Sequence, residues 1–414
     1  MRKNKELNFV IAIFFIAIFW GEAVVNTQFR ICGIVVTAYR SVMILCFLLS
    51  FIVIKREQIK MSQLQIGMLL ILYFWICVAL LQISFNTKLE LKEGLKEIVY
   101  IIFGFCICWC VYVYIKDFEH LKQTYKCLKY ITIMLILMGA LESILGVHWP
   151  ISKFNDTVAM QFEMERWGTT QESYKWISTG PFYNENDFSA VLTILMPFLF
   201  YDNSNIKRKI VAMLSFGGIV AIVILNGSLI SIGGIAFYCA YKIWKKSSLH
   251  IKVAEIISIF VALMAVCINC GALIDYIKNT SLFIRLELYV ESFKLSLNNI
   301  FLGIGPGAFE QYFELYPLKA GITNPHNYFI EILSQYGLIV LGLLIFLFII
   351  FFYILMLNKK IYEAEIMIEV LLVYIISSFA PSSFIDKSFS WLPMALIPVL
   401  IKCIYEDKYV KKNI

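Results

Sequence analysis

The stretch GLIVLGLLIFLFIIFFYILML, residues 337–357, decides the fold of this chain. It carries no charged residue, and it is long enough to cross the hydrocarbon core of a bilayer as a helix, which takes about 20 residues. A helix that is apolar on every side has no face to turn towards water. The stretch therefore predicts a transmembrane helix.

Similar apolar segments occur along the whole chain. With the first, they make twelve predicted spans, near 8–25, 32–54, 66–84, 97–115, 128–147, 186–202, 210–226, 228–244, 253–274, 337–357, 366–385 and 389–405. The mean hydropathy is +0.77, and 60% of the residues are hydrophobic, which is too apolar for a soluble protein. The short alternating segments of a transmembrane β-barrel are absent from the sequence. We therefore predict an all-α, polytopic membrane protein with residues 1–414 in a single integral membrane domain.

The distribution of lysine and arginine predicts the orientation of the spans. Inner segments of membrane proteins are enriched in these residues, and alternating spans from an inner N-terminus place most of them on the inner side. Both termini are then cytoplasmic, and two long connections, 148–185 and 275–336, are outer loops. The net charge of +7 is explained by this topology, so we expect no nucleic-acid partner.

The cysteines predict neither a disulfide framework nor a metal site. All eleven lie in or beside the predicted spans, and none lies within the two outer loops. Cys267 and Cys270 have the spacing of a metal-binding pair, but they lie in an apolar segment without a second pair, and packing between helices is the simpler interpretation. The chain has no Asp-x-Asp pair for a metal-bound nucleotide. We expect no metal and no other cofactor.

The outer loop 275–336 contains an amphipathic helix, predicted over 284–297. Its apolar residues recur at helical spacing and are Leu286, Val290, Phe293 and Leu297. The charged residues, Arg285 among them, fall largely elsewhere on the helix surface. Such a helix lies along the membrane surface with its apolar side towards the lipid.

After this helix the chain reverses at residues 303–307, which read Gly-Ile-Gly-Pro-Gly. Glycine permits backbone angles that other residues avoid, and proline fixes one of them. A short aromatic-rich helix is predicted at 308–316, and a further helix begins near His326. These turns bring Arg285 and His326 towards the same outer patch.

Three motif segments resemble a known family. They are GPFYNENDF at 180–188, Arg285 with FLGIGPG at 301–307, and His326-Asn327 with QYGL at 335–338. In this order they resemble the O-antigen ligase and polysaccharide polymerase superfamily of bacterial inner membranes, over roughly residues 130–357. The resemblance implies a glycosyltransferase that moves a glycan from a polyprenyl-diphosphate carrier to an acceptor on the outer face of the cytoplasmic membrane, without a metal or a nucleotide sugar.

The resemblance also implies that Arg285 and His326 are catalytic. Arginine holds phosphate oxygens with a planar fork of donors, and histidine can accept the proton of an attacking hydroxyl near neutral pH. The alternatives are an interfacial arginine and a helix-start histidine satisfied by the backbone. One departure is clear: the family often has Ser-Arg-Gly after the seventh span, whereas residues 227–231 here read Gly-Ser-Leu-Ile-Ser. The sequence does not identify which residue replaces that cation.

Further residues are candidates for binding substrate: Arg40, Asn184, Asn186 and Asn327. Arg40 is predicted about two turns inside the second span, where a charge is costly unless it serves a function. It could bind a ligand, extend to the lipid headgroups, or pair with Glu22 or Glu142. The asparagines at 184 and 186 could instead cap the following helix.

The resulting prediction is a polymerase of lipid-linked repeat units for capsular or other cell-surface polysaccharide. Its partners are the polyprenyl-diphosphate-linked donor, the glycan acceptor and membrane lipid, with flippase and chain-length regulator proteins as further candidates. A ligase to a lipid or wall acceptor is the near alternative. A flippase or other transporter would place its charges near the membrane midplane, and a non-catalytic scaffold would leave His326 without a purpose.

Overall fold

A computed structural model describes residues 2–20, 29–31, 34–36, 38–85, 90–167, 170–248, 281–316, 324, 326–381 and 383–412. The predicted span at 253–274, with Cys267 and Cys270, lies outside the described residues. The α-helices are α1 Arg2–Trp20, α2 Ala38–Glu57, α3 Gln63–Phe85, α4 Leu91–Tyr114, α5 Phe118–Leu145, α6 Thr157–Trp167, α7 Glu185–Leu195, α8 Ile206–Leu225, α9 Leu229–Lys246, α10 Ser281–Asn298, α11 Ala308–Leu315, α12 Tyr328–Leu357, α13 Tyr362–Ser377 and α14 Leu392–Lys412. Short 3-10 helices occur at Lys153–Asn155, Gln171–Tyr174, Met196–Phe200 and Ser388–Trp391.

The helices confirm the prediction of an all-α, polytopic membrane protein. In the part of the chain that the structure describes, six helical segments are long and apolar enough to cross a membrane: Gln63–Phe85, Leu91–Tyr114, Phe118–Leu145, Ile206–Leu225, Tyr328–Leu357 and Ser388–Glu406. A helix satisfies its backbone hydrogen bonds internally, which the hydrocarbon interior requires. The total of twelve spans stays a prediction.

The start of the second predicted span differs from the prediction of 32–54. Phe29–Ile31 (β1) and Ile34–Val36 (β2) form an antiparallel pair, with Phe29 opposite Val36, and the helix begins only at Ala38. The apolar, β-branched residues of the second strand suit a strand as well as a helix. Arg40 therefore lies in the first turn of α2, and its predicted position two turns inside a span is wrong.

Two other boundaries differ from the prediction, and proline accounts for the first. The helix predicted over 186–202 ends at Leu195 and continues as the 3-10 helix Met196–Phe200, with Pro197 in its first turn. Proline has no backbone N–H to continue the α-helical pattern. The span predicted over 366–385 ends as a helix at Ser377, and the described residues that follow, 378–381 and 383–387, are irregular.

Small residues let the central helices approach one another closely. A Cβ atom at Gly104 would lie 2.4 Å from the ring of Trp391, and a Cβ atom at Gly139 would lie 2.6 Å from the ring of Phe188. Both rings are fully buried. Close approach of this kind is the usual means of packing helices in a membrane, and it fixes α4 against the start of α14 and α5 against α7.

Candidate active site

The motif segments at 301–307 and 335–338 pack directly on each other. Gly337 interrupts α12 with φ 79° and ψ 179°, and a Cβ atom there would lie 2.3 Å from the carbonyl oxygen of Phe301. Gly303 approaches equally closely, because its Cβ atom would lie 2.5 Å from the carbonyl carbon of Gln335. The predicted span 337–357 is thus the part of α12 that follows this kink.

Backbone hydrogen bonds hold the glycine turn on α12. Ile304 N donates to Ser334 O at 2.8 Å, and Gly305 N donates to Gln335 O at 2.9 Å. The Gln82 side chain of α3 donates to this same Gln335 carbonyl oxygen at 3.0 Å. The turn at 303–307 and the kinked helix therefore form one unit, and α11 begins directly after it.

Helix α10 confirms the predicted amphipathic helix. The apolar side chains of Leu286, Val290, Phe293 and Leu297 are all exposed, as lipid contact requires. The opposite face is buried against α12, where Ser296 Oγ lies 3.0 Å from Ser334 Oγ. This packing determines which way Arg285 faces.

Tyr289, which lies one helical turn after Arg285, links the helix of Arg285 to the backbone of His326. Tyr289 Oη donates to the carbonyl oxygen of His326 at 2.9 Å. Burial lowers the pKa of Arg285, whereas Tyr289 and Glu185 act in the opposite direction, and the guanidinium remains charged. The structure thus places the His326 backbone next to the helix that carries Arg285, and Glu185 acts on the arginine electrostatically.

His326 lies in the left-handed region with φ 48°, which is uncommon for a residue other than glycine. The next residue, Asn327, caps α12, since its Oδ1 accepts from Phe329 N at 2.9 Å and from Ile330 N at 3.2 Å. The turn at His326 and Asn327 thus leads directly into α12. Backbone strain of this kind concentrates at functional sites.

Asn184 caps α7 in the same manner. Its Oδ1 accepts from Asn186 N at 2.8 Å, so Asn184 makes the capping contact that was the alternative to sugar binding. Asn186 extends its Nδ2 to Glu185 Oε1 at 3.5 Å. Sugar binding by Asn184, Asn186 and Asn327 stays a prediction.

Lys153, which was not predicted as a site residue, is a further cation beside Glu185. Lys153 Nζ lies 3.0 Å from Glu185 Oε1, and its side chain is 9% exposed. Glu185 thus has Lys153 as an ion-pair partner and lies near Arg285. The position of Glu185 inside the motif at 180–188 was the only signal in the sequence.

The segment 227–231, where the family arginine is missing, lies beside the same region. Asn226 Nδ2 donates to Ser178 O at 2.8 Å and to the carbonyl oxygen of Glu185 at 3.4 Å. Ser228 Oγ donates to Ser231 Oγ at 3.1 Å inside the protein. The segment that lacks the family arginine therefore lies next to the backbone of Glu185. The Glu185 side chain, in turn, forms an ion pair with Lys153.

The segment 378–387 joins the elements of the site. Arg285 Nη1 donates to the carbonyl oxygen of Phe379 at 3.1 Å, and Tyr328 N donates to Ser378 O at 3.2 Å. One irregular segment thereby positions both the arginine and the helix that follows His326. The predicted span 366–385 included most of this segment.

A buried carboxylate stabilises the same segment from α12. Glu331 accepts from Ser383 Oγ at 2.6 Å and from Phe384 N at 3.0 Å. Further along, Lys387 Nζ lies 3.1 Å from Asp187 Oδ2 of α7. The two hydrogen bonds satisfy the Glu331 carboxyl group, and Lys387 offsets the charge of Asp187. Either group would otherwise be costly to bury.

Arg40 makes its described contacts with α4. Its guanidinium lies 5.5 Å from the ring centroid of Tyr100 and 5.6 Å from that of Phe103, which is cation–π distance. The Glu142 carboxylate binds His148 Nδ1 at 3.0 Å and Gly180 N at 2.7 Å, and no described contact joins it to Arg40. Glu22 lies outside the described residues. Substrate binding by Arg40 stays a prediction.

Comparison with known proteins agrees with the motif resemblance. Residues 187–346 match the O-antigen ligase family, and this segment contains Arg285, His326 and the glycine turn. The chain is 23% identical over 304 residues to the teichuronic acid biosynthesis protein TuaE of Bacillus subtilis (strain 168), which covers 66% of this chain. The match spans 58% of the length of that relative.

Proposed function

From the premise that this chain is a member of the O-antigen ligase and polysaccharide polymerase superfamily, we propose that it polymerises oligosaccharide repeat units carried on a polyprenyl diphosphate. The contact from Tyr289 to the main-chain carbonyl oxygen of His326 supports the proposal, because it holds His326, the proposed general base, beside the helix that carries Arg285. A phosphate-binding cation and a base are the two groups that such a transfer requires.

The reaction is a displacement at the anomeric carbon of the donor glycan. The acceptor hydroxyl oxygen attacks this carbon, the bond from the carbon to the phosphate oxygen breaks, and the diphosphate leaves on its lipid. His326 accepts the proton of the acceptor hydroxyl, which assists the step by roughly 10²–10⁴-fold. Arg285 offsets the charge that develops on the leaving diphosphate.

Lys153 is the second cation in this proposal. It takes the role of the arginine that is missing near Ser228, and Glu185 holds it in place until the diphosphate arrives. Glu185 pairs with Lys153 at 3.0 Å, and its charge opposes the lowering of the Arg285 pKa by burial, so we expect a diphosphate that displaces this carboxylate to be attracted by both cations. Cationic side chains can thereby supply the charge that a metal ion supplies in other transferases.

The outer face of the bacterial cytoplasmic membrane is the proposed location, with both termini cytoplasmic. The name of the relative concerns the biosynthesis of teichuronic acid, and this likeness favours polymerisation for a capsule or another cell-surface polysaccharide. A ligase that transfers to a lipid or wall acceptor would use the same donor site. Flippase and chain-length regulator proteins are the proposed partners.

The proposed function is tested with purified protein and a polyprenyl-diphosphate-linked repeat unit. We expect elongated glycan on the lipid carrier, with the same initial rate in excess EDTA, because Arg285 and Lys153 provide the charge. Transfer only to a separate lipid or wall acceptor would support the ligase. Activity that EDTA abolishes and magnesium restores would contradict the metal-independent mechanism.

Replacing Arg285 with alanine is expected to lower the initial rate of transfer by roughly 10²-fold, the usual cost of removing one group that stabilises developing charge. Arg285→Lys should retain an intermediate rate, because an ammonium cannot reproduce a bidentate grip on phosphate. The rate and the donor affinity are both measured with the purified protein.

The matched control is Lys294→Ala on the same helix. Lys294 is exposed and pairs with Glu291 at 2.7 Å, and an exposed pair of this kind contributes little to stability. We expect an unchanged rate. A rate for Arg285→Ala equal to that of Lys294→Ala would remove Arg285 from the site.

A further inference from the structure

A cationic pocket lies between α5 and the start of α8, with Asp202 from the chain that precedes α8 in its lining. Its charged lining residues are Lys126, Lys129, Asp202, Lys207 and Arg208. Four cations thus face a single carboxylate. The excess of positive charge favours an anionic ligand.

The contacts within the pocket divide these cations by role. Lys129 Nζ is buried and donates to Tyr201 O at 2.7 Å and to Asn203 Oδ1 at 2.6 Å, so it holds the chain in place. Lys126 and Arg208 share the Asp202 carboxylate at 3.2 Å and 2.9 Å. Since one carboxylate cannot neutralise both, positive charge remains for a ligand.

An apolar groove of about 560 Å³ adjoins the cationic pocket. It lies between α1 and α5, and its apolar lining includes Ile11, Ile16, Trp20, Ile131 and Met134. Lys126 and Tyr130 line both the groove and the pocket, so the two are continuous. One ligand can therefore place an anionic group in the pocket and an apolar chain in the groove.

We infer that this combined surface binds an anionic glycerophospholipid, with its phosphate headgroup at Lys126, Lys207 and Arg208 and an acyl chain in the groove. Charge complementarity selects the headgroup, because basic pockets between membrane helices bind anionic lipid. The groove favours a lipid over a small anion, because its apolar lining suits an acyl chain. This site is separate from the one that contains Arg285 and His326.

The test uses the full-length protein in detergent and measures lipid binding by native mass spectrometry and by the shift in melting temperature. Phosphatidylglycerol is expected to bind and to raise the melting temperature, whereas phosphatidylcholine, which has no net charge, should bind at least tenfold more weakly. Inorganic phosphate alone should give no shift at the same concentration. Equal affinity for the two lipids, or an equal shift with phosphate, would overturn the proposal.

Two variants locate the binding site. The double variant Lys207→Gln/Arg208→Gln should weaken phosphatidylglycerol binding by roughly tenfold or more, since each basic residue adds to the attraction for an anionic headgroup. Lys359→Gln/Lys360→Gln removes the same charge from another exposed position and should leave the affinity unchanged. Equal losses from both double variants would show nonspecific attraction and would overturn the proposal.

A third variant tests the groove without changing the charge. Ala12→Phe introduces a ring where the acyl chain would lie, and it should weaken phosphatidylglycerol binding severalfold while the melting temperature without lipid stays near that of the parent protein. An unchanged affinity would contradict the placement of the chain in the groove.

Discussion

Replacing His326 with asparagine is expected to abolish long-chain glycan while the protein remains folded. Asparagine tolerates the left-handed conformation that His326 adopts with φ 48°, so the turn into α12 is kept. The amide cannot accept a proton near neutral pH, and the loss of a general base costs roughly 10²–10⁴-fold in rate. The readout is glycan length in a deletion strain that expresses the variant.

Two further measurements separate the base from the turn. His326→Ala removes the same base but tolerates the backbone angle less well, so it should lose activity and also some stability. Tyr289→Phe deletes the hydroxyl that donates to the His326 carbonyl oxygen and should lower the rate less than His326→Asn does. Inactive variants should accumulate single repeat units on the lipid carrier. Full-length polymer from His326→Asn at normal abundance would leave His326 with a structural role only.

Replacing Gly337 with alanine is expected to prevent accumulation of folded protein. Gly337 has φ 79° and ψ 179°, a region of backbone angles that is open essentially only to glycine. The added Cβ atom would also lie 2.3 Å from Phe301 O. Relief of this contact must separate the glycine turn from α12, so we expect a loss of about 3 kcal/mol or more in the free energy of unfolding.

The control for Gly337→Ala is Gly342→Ala, five residues later on the same helix. A Cβ atom at Gly342 would meet nothing within 4 Å, and alanine is the better helix former. The yield of monodisperse protein after detergent extraction and its melting temperature measure both variants. Gly342→Ala should match or exceed the parent protein, and an equally stable Gly337→Ala variant would contradict the close packing.

Local patterns in the sequence are sufficient to predict the helical membrane fold. The apolar run at 337–357 and the spacing of Leu286, Val290 and Phe293 each describe a single helix, and a helix satisfies its own backbone hydrogen bonds. The glycine turn at 303–307 was equally local. The strand pair at residues 29–36 was missed because apolar, β-branched residues suit both a strand and a membrane helix.

The partners within the site were determined only by the tertiary structure. Arg285 and His326 were identified as a pair by the motifs, but the sequence does not indicate that Tyr289 connects them or that Lys153 binds Glu185. These contacts depend on how far each helix is rotated and which carbonyl oxygen it faces. Rotation is decided by packing between helices, such as Ser296 against Ser334, and packing between distant segments leaves no periodic signal in the sequence.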